Sequence, residues 1–330
     1  MRIHFLEPPV ASRLSGGCLY NDQLAAALQH LGIDSRIDIR GPNDIQRAHA
    51  DIEVIDSLWI SQAVTDEQLS LMAASTTRYH LLAHYFPPAN PFEGAELRDR
   101  WLDQANRWLS ICDSIIAVGE AASKHWRNAA PNSPVVLAQP AIEINSRIAT
   151  LPRRARRWLT VSRLEPAKLP LELLTAMAAL ASLDFTWQIV GPLNENDAHL
   201  NACRRAIESA GLNHKIQFLG PKSASAIPDL LRASHAYLAP SQFESYGMAT
   251  AEAIAIGLPT LAFDVGDAAV FCTPQSIHKC FAPGRYDQAV AQMSQWINGE
   301  QWPNQVPERP ALIAKSWSAV AQKLMRALNP

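Results

Sequence analysis

Two glutamates separated by seven residues, Glu244 and Glu252, lie in the C-terminal half of the chain. The surrounding pattern predicts a buried strand at 236–239, a polar loop, a helix over 247–256 and a second strand at 260–263. With Glu244 in the loop, both carboxylates can border the helix N-terminus, where free N–H groups favour phosphate. Two ordinary solvated glutamates would give the same pair, so the pair alone does not identify a site.

Composition limits the class of protein. The 330 residues are 48% hydrophobic and 18% charged, which is typical of a globular chain of about two domains. A net charge of −2 argues against a nucleic-acid partner. The five scattered cysteines have no C-x-x-C spacing and predict reduced thiols in a cytoplasmic protein. No apolar run reaches the roughly 18–20 residues of a membrane span, so we expect peripheral membrane contact at most.

The first half alternates strands with helices, which predicts a parallel sheet covered on both faces. The paired Gly16 and Gly17 separate the first strand from the first helix, either as a simple turn or as a loop against a ligand. His84 ends a later strand, at the sheet edge where ligands collect, although a lone histidine is often structural. The predicted strands are 3–6, 35–39, 52–58, 79–84, 115–118 and 135–138, with helices near 64–75, 93–111 and 120–128.

Composition changes sharply at 145–157, a segment with four arginines in its last five residues and no apolar periodicity. We therefore expect a domain of residues 1–150 followed by a second domain that starts at 151. The arginines either hold an anionic acceptor or lipid, or form a solvated interdomain segment.

Arg163 and Lys168 follow the first strand of the second half, five residues apart. Two cations on such a loop can hold a diphosphate and neutralise the charge of a leaving group, although ordinary surface charge is the alternative. Several other loops begin directly after a predicted strand, so their residues should converge at one edge of the sheet. The residues of interest in these loops are Arg163, Gly191, Gly220, Glu244 and Gly266.

The order Glu-Ser-Tyr-Gly, Glu252-Ala253 and Gly257-Leu258-Pro259 resembles the E-x7-E signature of family 4 retaining glycosyltransferases of the GT-B fold. The resemblance implies an α/β protein of two Rossmann-like, doubly wound domains that face each other across a cleft. It assigns residues 1–150 to the acceptor and 151–310 to a nucleotide-sugar donor. A last helix, 311–330, would pack back on the first domain.

The same resemblance implies transfer of a hexosyl unit, with retention, from a nucleotide-diphosphate sugar to a hydroxyl of a glycan, lipid or small molecule. No metal and no cofactor would be required, and neither a D-x-D motif nor a His/Cys/Asp ligand cluster occurs in the sequence. The implied catalytic residues are Glu244, Arg163, Lys168 and His84. The implied donor-binding residues are Gly16, Gly17, Glu252, Ser245, Tyr246, Gly247, Met248, Gly191, Phe218, Leu219 and Gly220.

Two departures from the family pattern limit these expectations. Leu169 follows Lys168 where relatives usually have glycine, and residues 266–270 lack the Gly-Gly and downstream glutamate that relatives commonly carry. The base, the sugar, the acceptor and the oligomeric state are therefore not predicted. Two alternatives remain open: a nucleotide-sugar 2-epimerase of the same fold, and a non-catalytic sugar-nucleotide-binding partner subunit.

Overall fold

The computed structural model describes residues 1–10, 15–62, 64–143, 147–148, 150–194, 196–272, 277–306 and 316–328. They divide into two compact units. Unit 1 comprises Met1–Glu143 with Lys315–Pro330, and unit 2 comprises Ile144–Ala314.

Within its described residues, unit 1 has a sheet of six parallel strands in the order β2-β1-β3-β4-β5-β6. The strands are β1 Arg2–Glu7, β2 Asp34–Ile39, β3 Ile52–Asp56, β4 Arg78–Ala83, β5 Cys112–Ala117 and β6 Val135–Leu137. The helices are α1 Gly16–His30, α2 Asp66–Ala73, α3 Ala95–Leu109, α4 Glu120–Ala129 and, at the end of the chain, α11 Trp317–Leu328.

Unit 2 repeats this arrangement, with six parallel strands among its described residues in the order β12-β11-β10-β7-β8-β9. The strands are β7 Arg157–Val161, β8 Thr186–Val190, β9 Ile216–Gly220, β10 Ala236–Ala239, β11 Thr260–Phe263 and β12 Lys279–Phe281. The helices are α5 Leu171–Ala176, α6 Ala198–Ser209, α7 Ile227–Ala233, α8 Met248–Ile256, α9 Ala268–Phe271 and α10 Tyr286–Asn298.

Helices cover the sheets, and the strands are apolar because both of their faces are buried. Every residue of β10 and of β11 is buried. The core of unit 2 includes Trp158 stacked on Trp296 with ring centroids 5.9 Å apart. In unit 1, Trp101 and Trp108 of α3 lie in the core.

Two boundaries differ from the sequence prediction for local reasons. The strand expected over 52–58 ends at Asp56, because the Asp56 carboxylate accepts a hydrogen bond from the N–H of Leu58 and caps a short 3-10 helix. Unit 2 begins at Ile144, whereas the predicted second domain starts at 151. Arg147 Nε donates to the carbonyl of Ala255 at 3.2 Å and the N–H of Ile148 to that of Ile256 at 3.0 Å, which ties these two residues to α8.

Helix α11 lies against α1 within unit 1. The Trp317 ring meets the Tyr20 ring edge-on with centroids 5.3 Å apart, and Arg78 Nη1 donates to the carbonyl of Leu328 at 2.6 Å. The buried side chains recur at helical spacing, as expected of an amphipathic helix on a core. They are Trp317, Val320, Ala321, Leu324 and Leu328. The expected helix start at 311 falls outside the described residues.

Candidate functional site

Lys168 and Glu244 meet, although they come from loops after different strands of unit 2. Lys168 Nζ lies 2.8 Å from Glu244 Oε1 and donates to the carbonyl of Phe243 at 2.7 Å. The Lys168 side chain is 11% exposed and that of Glu244 25% exposed. A buried ammonium is stable only when paired and hydrogen-bonded, so these contacts fix its position.

Leu169 explains how the chain manages without the glycine that relatives carry at this position. Its side chain is fully buried in the core of unit 2. The N–H groups of Lys168 and Leu169 both donate to the carbonyl of Glu165, at 2.8 and 2.9 Å, and close a tight turn. The buried Leu169 side chain attaches this turn to the core, and the Lys168 side chain contacts Glu244.

Arg163 lies in a different environment from Lys168. Its Nη1 is 2.7 Å from Glu165 Oε1, and the two side chains are 53% and 43% exposed. An exposed pair of this kind contributes at most about 1 kcal/mol, so an incoming phosphate can replace Glu165 at little cost. In the described residues, the two cations predicted to hold a diphosphate are thus paired with two different carboxylates.

Two glycines in left-handed conformations shape the N-terminus of α8. Gly247 caps the helix at φ +97° and, as a glycine, has no side chain that could accept a hydrogen bond from the first turn. Gly266, in the loop after β11, has φ +57°. A Cβ on Gly266 would lie 2.7 Å from the Cβ of Glu244 and 2.9 Å from the carbonyl oxygen of Tyr246, so only glycine allows this loop to pack against them.

Glu252 lies in the second turn of α8 and is partly buried. Burial raises the pKa of its carboxyl to about 7. A carboxyl in such an environment gains from hydrogen-bond donors that stabilise its charged form. The described structure therefore leaves Glu252 ready to accept hydrogen bonds from a polar ligand.

The remaining predicted donor residues border this edge of the sheet with different exposures. A Cβ on Gly191 would lie 1.8 Å from the carbonyl oxygen of Ser162, and the N–H of Gly191 donates to the carbonyl of Gly220 at 3.2 Å. The loops after β7 and β8 are thus in contact with each other, and the second also contacts the last residue of β9. Phe218, Leu219, Ser245 and Met248 are partly accessible, whereas Tyr246 is buried with its ring against Phe271.

In unit 1, Gly17 and His84 are in contact. A Cβ on Gly17 would lie 3.3 Å from His84 Cγ, so the glycine allows α1 to approach the imidazole. Gly16 and Gly17 form the first turn of α1, where Ser15 Oγ accepts a hydrogen bond from the N–H of Cys18. The Tyr20 ring lies edge-on to His84 with centroids 5.0 Å apart.

His84 is linked by hydrogen bonds to three residues that were not among the predicted site residues: Asn21, Glu7 and Asp56. His84 Nε2 is 2.7 Å from Asn21 Oδ1, and Asn21 Nδ2 donates to Glu7 Oε1 at 2.8 Å and to Asp56 Oδ2 at 3.0 Å. Burial lowers the pKa of His84, although nearby Asp56 opposes the shift. Glu7 and Asp56 each end an apolar strand at the carboxyl edge of the sheet, a sequence signal that could have identified them.

No group of three or more histidine, cysteine, aspartate or glutamate side chains that could hold a metal ion occurs among the described residues. In the same part of the chain, no helix is both long enough and apolar enough to cross a bilayer.

The pKa of Glu252 has a measurable consequence for stability. Since the folded value, about 7, exceeds the usual 4.5, the folded state retains a proton that the unfolded state has lost between these values. This contribution is complete below pH 4.5 and disappears as pH rises through 7. It amounts to about 1–3 kcal/mol.

We therefore expect Glu252→Gln to be more stable than the wild type in urea unfolding at pH 8, by a clearly larger margin than at pH 5. Glu208→Gln, an exposed substitution on α6, controls for loss of a charge. A difference from wild type that is the same at both pH values would contradict the assigned pKa.

Comparison with known proteins identifies the family. Residues 142–315 match the family of glycosyl transferases group 1. A D-inositol 3-phosphate glycosyltransferase of Rhodococcus jostii is 34% identical over 115 residues, which cover 33% of this chain and 25% of that protein. The D-inositol 3-phosphate glycosyltransferase of Corynebacterium glutamicum is 32% identical over 144 residues, which cover 41% of this chain and 34% of that protein. The chain thus matches only a quarter to a third of the length of these curated relatives.

Solved structures establish the fold. A sucrose-phosphate synthase from Thermosynechococcus elongatus superposes with a TM-score of 0.82 at 15% identity, over 99% of this chain and 98% of that one. HepE from Anabaena, solved with UDP and glucose, superposes with a TM-score of 0.76 at 17% identity, over 99% and 98%. The predicted GT-B fold class, with its two Rossmann-like units, is confirmed. The chain belongs to the group 1 glycosyl transferases.

Proposed function

We propose that the chain is a retaining hexosyltransferase that uses a nucleotide-diphosphate sugar bound by unit 2. One observation carries the proposal: Lys168 and Glu244, from separate strand-end loops, are held 2.8 Å apart in a member of a glycosyltransferase family. The motif that contains Glu244 and Glu252 resembles the E-x7-E signature, and HepE was solved with UDP and glucose. Both support a nucleotide-sugar donor.

The diphosphate would bind where positive charge is available. When the diphosphate binds, a phosphate oxygen replaces the Glu244 carboxylate as the partner of Lys168. Another phosphate oxygen replaces the Glu165 carboxylate as the partner of Arg163. The N-terminus of α8, opened by Gly247, adds free N–H groups and a partial positive charge. Glu252 accepts hydrogen bonds from the ribose hydroxyls, which favours its charged form.

The proposed chemical step needs no enzyme nucleophile. The bond between the anomeric carbon and the leaving phosphate oxygen breaks as the acceptor oxygen forms a bond on the same face. The acceptor proton passes to the leaving phosphate oxygen, and the nucleoside diphosphate departs. Lys168 and Arg163 stabilise the charge that develops on the diphosphate, while Glu244, released from Lys168, orients the sugar and supports positive charge at its anomeric carbon.

Unit 1 would supply the acceptor side, with His84 and the first turn of α1 as its contacts to substrate. A glycan, a lipid or a small molecule can provide the hydroxyl, and a cytoplasmic location remains a prediction.

Thermal-shift measurements with UDP, GDP and ADP would identify the base, because a ligand at 100 times its Kd adds about 2.7 kcal/mol to native stability.

Arg163 should matter for turnover although its side chain is exposed. Once thermal shift has identified the nucleotide of the sugar donor, transfer can be assayed. We expect Arg163→Ala to lower kcat by roughly 10²-fold, as for the loss of one hydrogen-bond donor that stabilises developing charge. Arg156→Ala is a matched control, since Arg156 forms an exposed ion pair with Asp184 just before β7 begins. Equal turnover in the two variants would remove Arg163 from the mechanism.

Metal dependence tests the source of the leaving-group stabilisation. If Lys168, Arg163 and the α8 N-terminus supply it, transfer should continue at the same rate in excess EDTA. The assay follows both the glycosylated product and the donor, so that epimerised donor is detected separately. Loss of transfer in EDTA and its recovery on adding Mg²⁺ or Mn²⁺ would contradict the metal-independent step.

A further inference from the structure

Four polar side chains form a buried cluster in unit 1, here called the Asn21 cluster: Glu7, Asn21, Asp56 and His84. Glu7 ends β1, Asp56 ends β3 and His84 directly follows β4. Glu7, Asn21 and Asp56 are at most 2% exposed, whereas the His84 side chain is 10% exposed. Only the histidine of this cluster can reach a ligand.

The amide of Asn21 has one orientation that its neighbours allow. Its Nδ2 faces two carboxylate oxygens, Glu7 Oε1 at 2.8 Å and Asp56 Oδ2 at 3.0 Å. Ionised carboxylates only accept hydrogen bonds, so a reversed amide would place Oδ1 against two acceptors. Asn21 Oδ1 therefore faces His84.

This orientation fixes the tautomer of His84. Its Nε2 lies 2.7 Å from Asn21 Oδ1, which can only accept a hydrogen bond, so Nε2 carries the proton. In a neutral imidazole the other nitrogen, Nδ1, then holds a lone pair. Among the described residues, Nδ1 makes no hydrogen bond. The Tyr20 ring and Gly17 hold the imidazole in place.

We infer that Asn21, Glu7 and Asp56 are positioning residues that hold His84 as the Nε2–H tautomer, so that its Nδ1 accepts a hydrogen bond from a substrate hydroxyl. The hydroxyl belongs to the sugar donor or to the acceptor, and this part rests on the proposed transferase function. Because burial lowers the pKa of His84, Nδ1 is a weak base and orients the hydroxyl without removing its proton.

The cluster also predicts how acid affects the site. Among the described residues, the titratable groups that face the imidazole are Asp56, with Oδ2 3.9 Å from His84 Nε2, Glu7 through Asn21, and the Tyr20 ring. Protonation of His84 occurs at Nδ1 and removes the acceptor. Binding of the hydroxyl is therefore lost as pH falls through the lowered pKa.

The tautomer can be measured in the 330-residue chain without any substrate. Two-bond ¹H–¹⁵N correlation of histidine labelled with ¹⁵N at pH 7.5 distinguishes the two neutral forms, and His84→Gln assigns the resonances of His84. We expect a protonated Nε2 and an unprotonated Nδ1. A protonated Nδ1 overturns the inference, and this outcome does not depend on whether the chain transfers sugar.

The variant Asn21→Asp tests whether Asn21 positions His84 or only supports the structure. Asn21→Asp removes the amide donor and places a third carboxylate beside His84, so the acid limb of the kcat/KM profile should move to higher pH. Asn43→Asp, at an exposed position of the same unit, should leave the limb unchanged. Lower activity at every pH with an unmoved limb would mean that Asn21 is merely structural. If Asn21→Asp does not fold, the spectrum of the wild type decides.

Discussion

The contact between Lys168 and Glu244 constrains much of unit 2. A largely buried ammonium must be paired, and Lys168 meets this requirement with one carboxylate and one backbone carbonyl. The geometry depends on the turn closed on Glu165, on the buried Leu169 below it, and on Gly266, whose missing side chain leaves room for Glu244. In the proposed mechanism a diphosphate replaces this carboxylate, so the same lysine would hold Glu244 before the donor binds and a phosphate oxygen afterwards.

The two units offer different electrostatics to a substrate. In unit 2, cations and a helix N-terminus suit a leaving group that gains negative charge. In unit 1, burial lowers the pKa of His84 and favours a neutral imidazole, although Asp56 opposes this shift, and a hydroxyl can approach Nδ1 of the ring. This division fits a reaction in which one substrate is a polyanion and the other an alcohol.

Much of the fold could be predicted because parallel strands buried on both faces appear as apolar runs ended by glycine, proline or a polar residue. The pattern failed at β12, three partly buried residues at the sheet edge. The convergence of the loops that carry Lys168 and Glu244 at one sheet edge followed from the strand pattern, but the ion pair between the two side chains was not predicted. The Asn21 cluster was not predicted, since Asn21 is 14 residues from Glu7 and 35 from Asp56, and hydrogen bonds over such distances leave no periodic signal.

A crystal structure of the chain with the nucleoside diphosphate that stabilises it most would test the central claim directly. The account predicts that a phosphate oxygen lies within hydrogen-bond distance of Lys168 Nζ, that Lys168 has separated from Glu244, and that the ribose hydroxyls contact Glu252. A nucleotide bound elsewhere, with the contact between Lys168 and Glu244 intact, would contradict it.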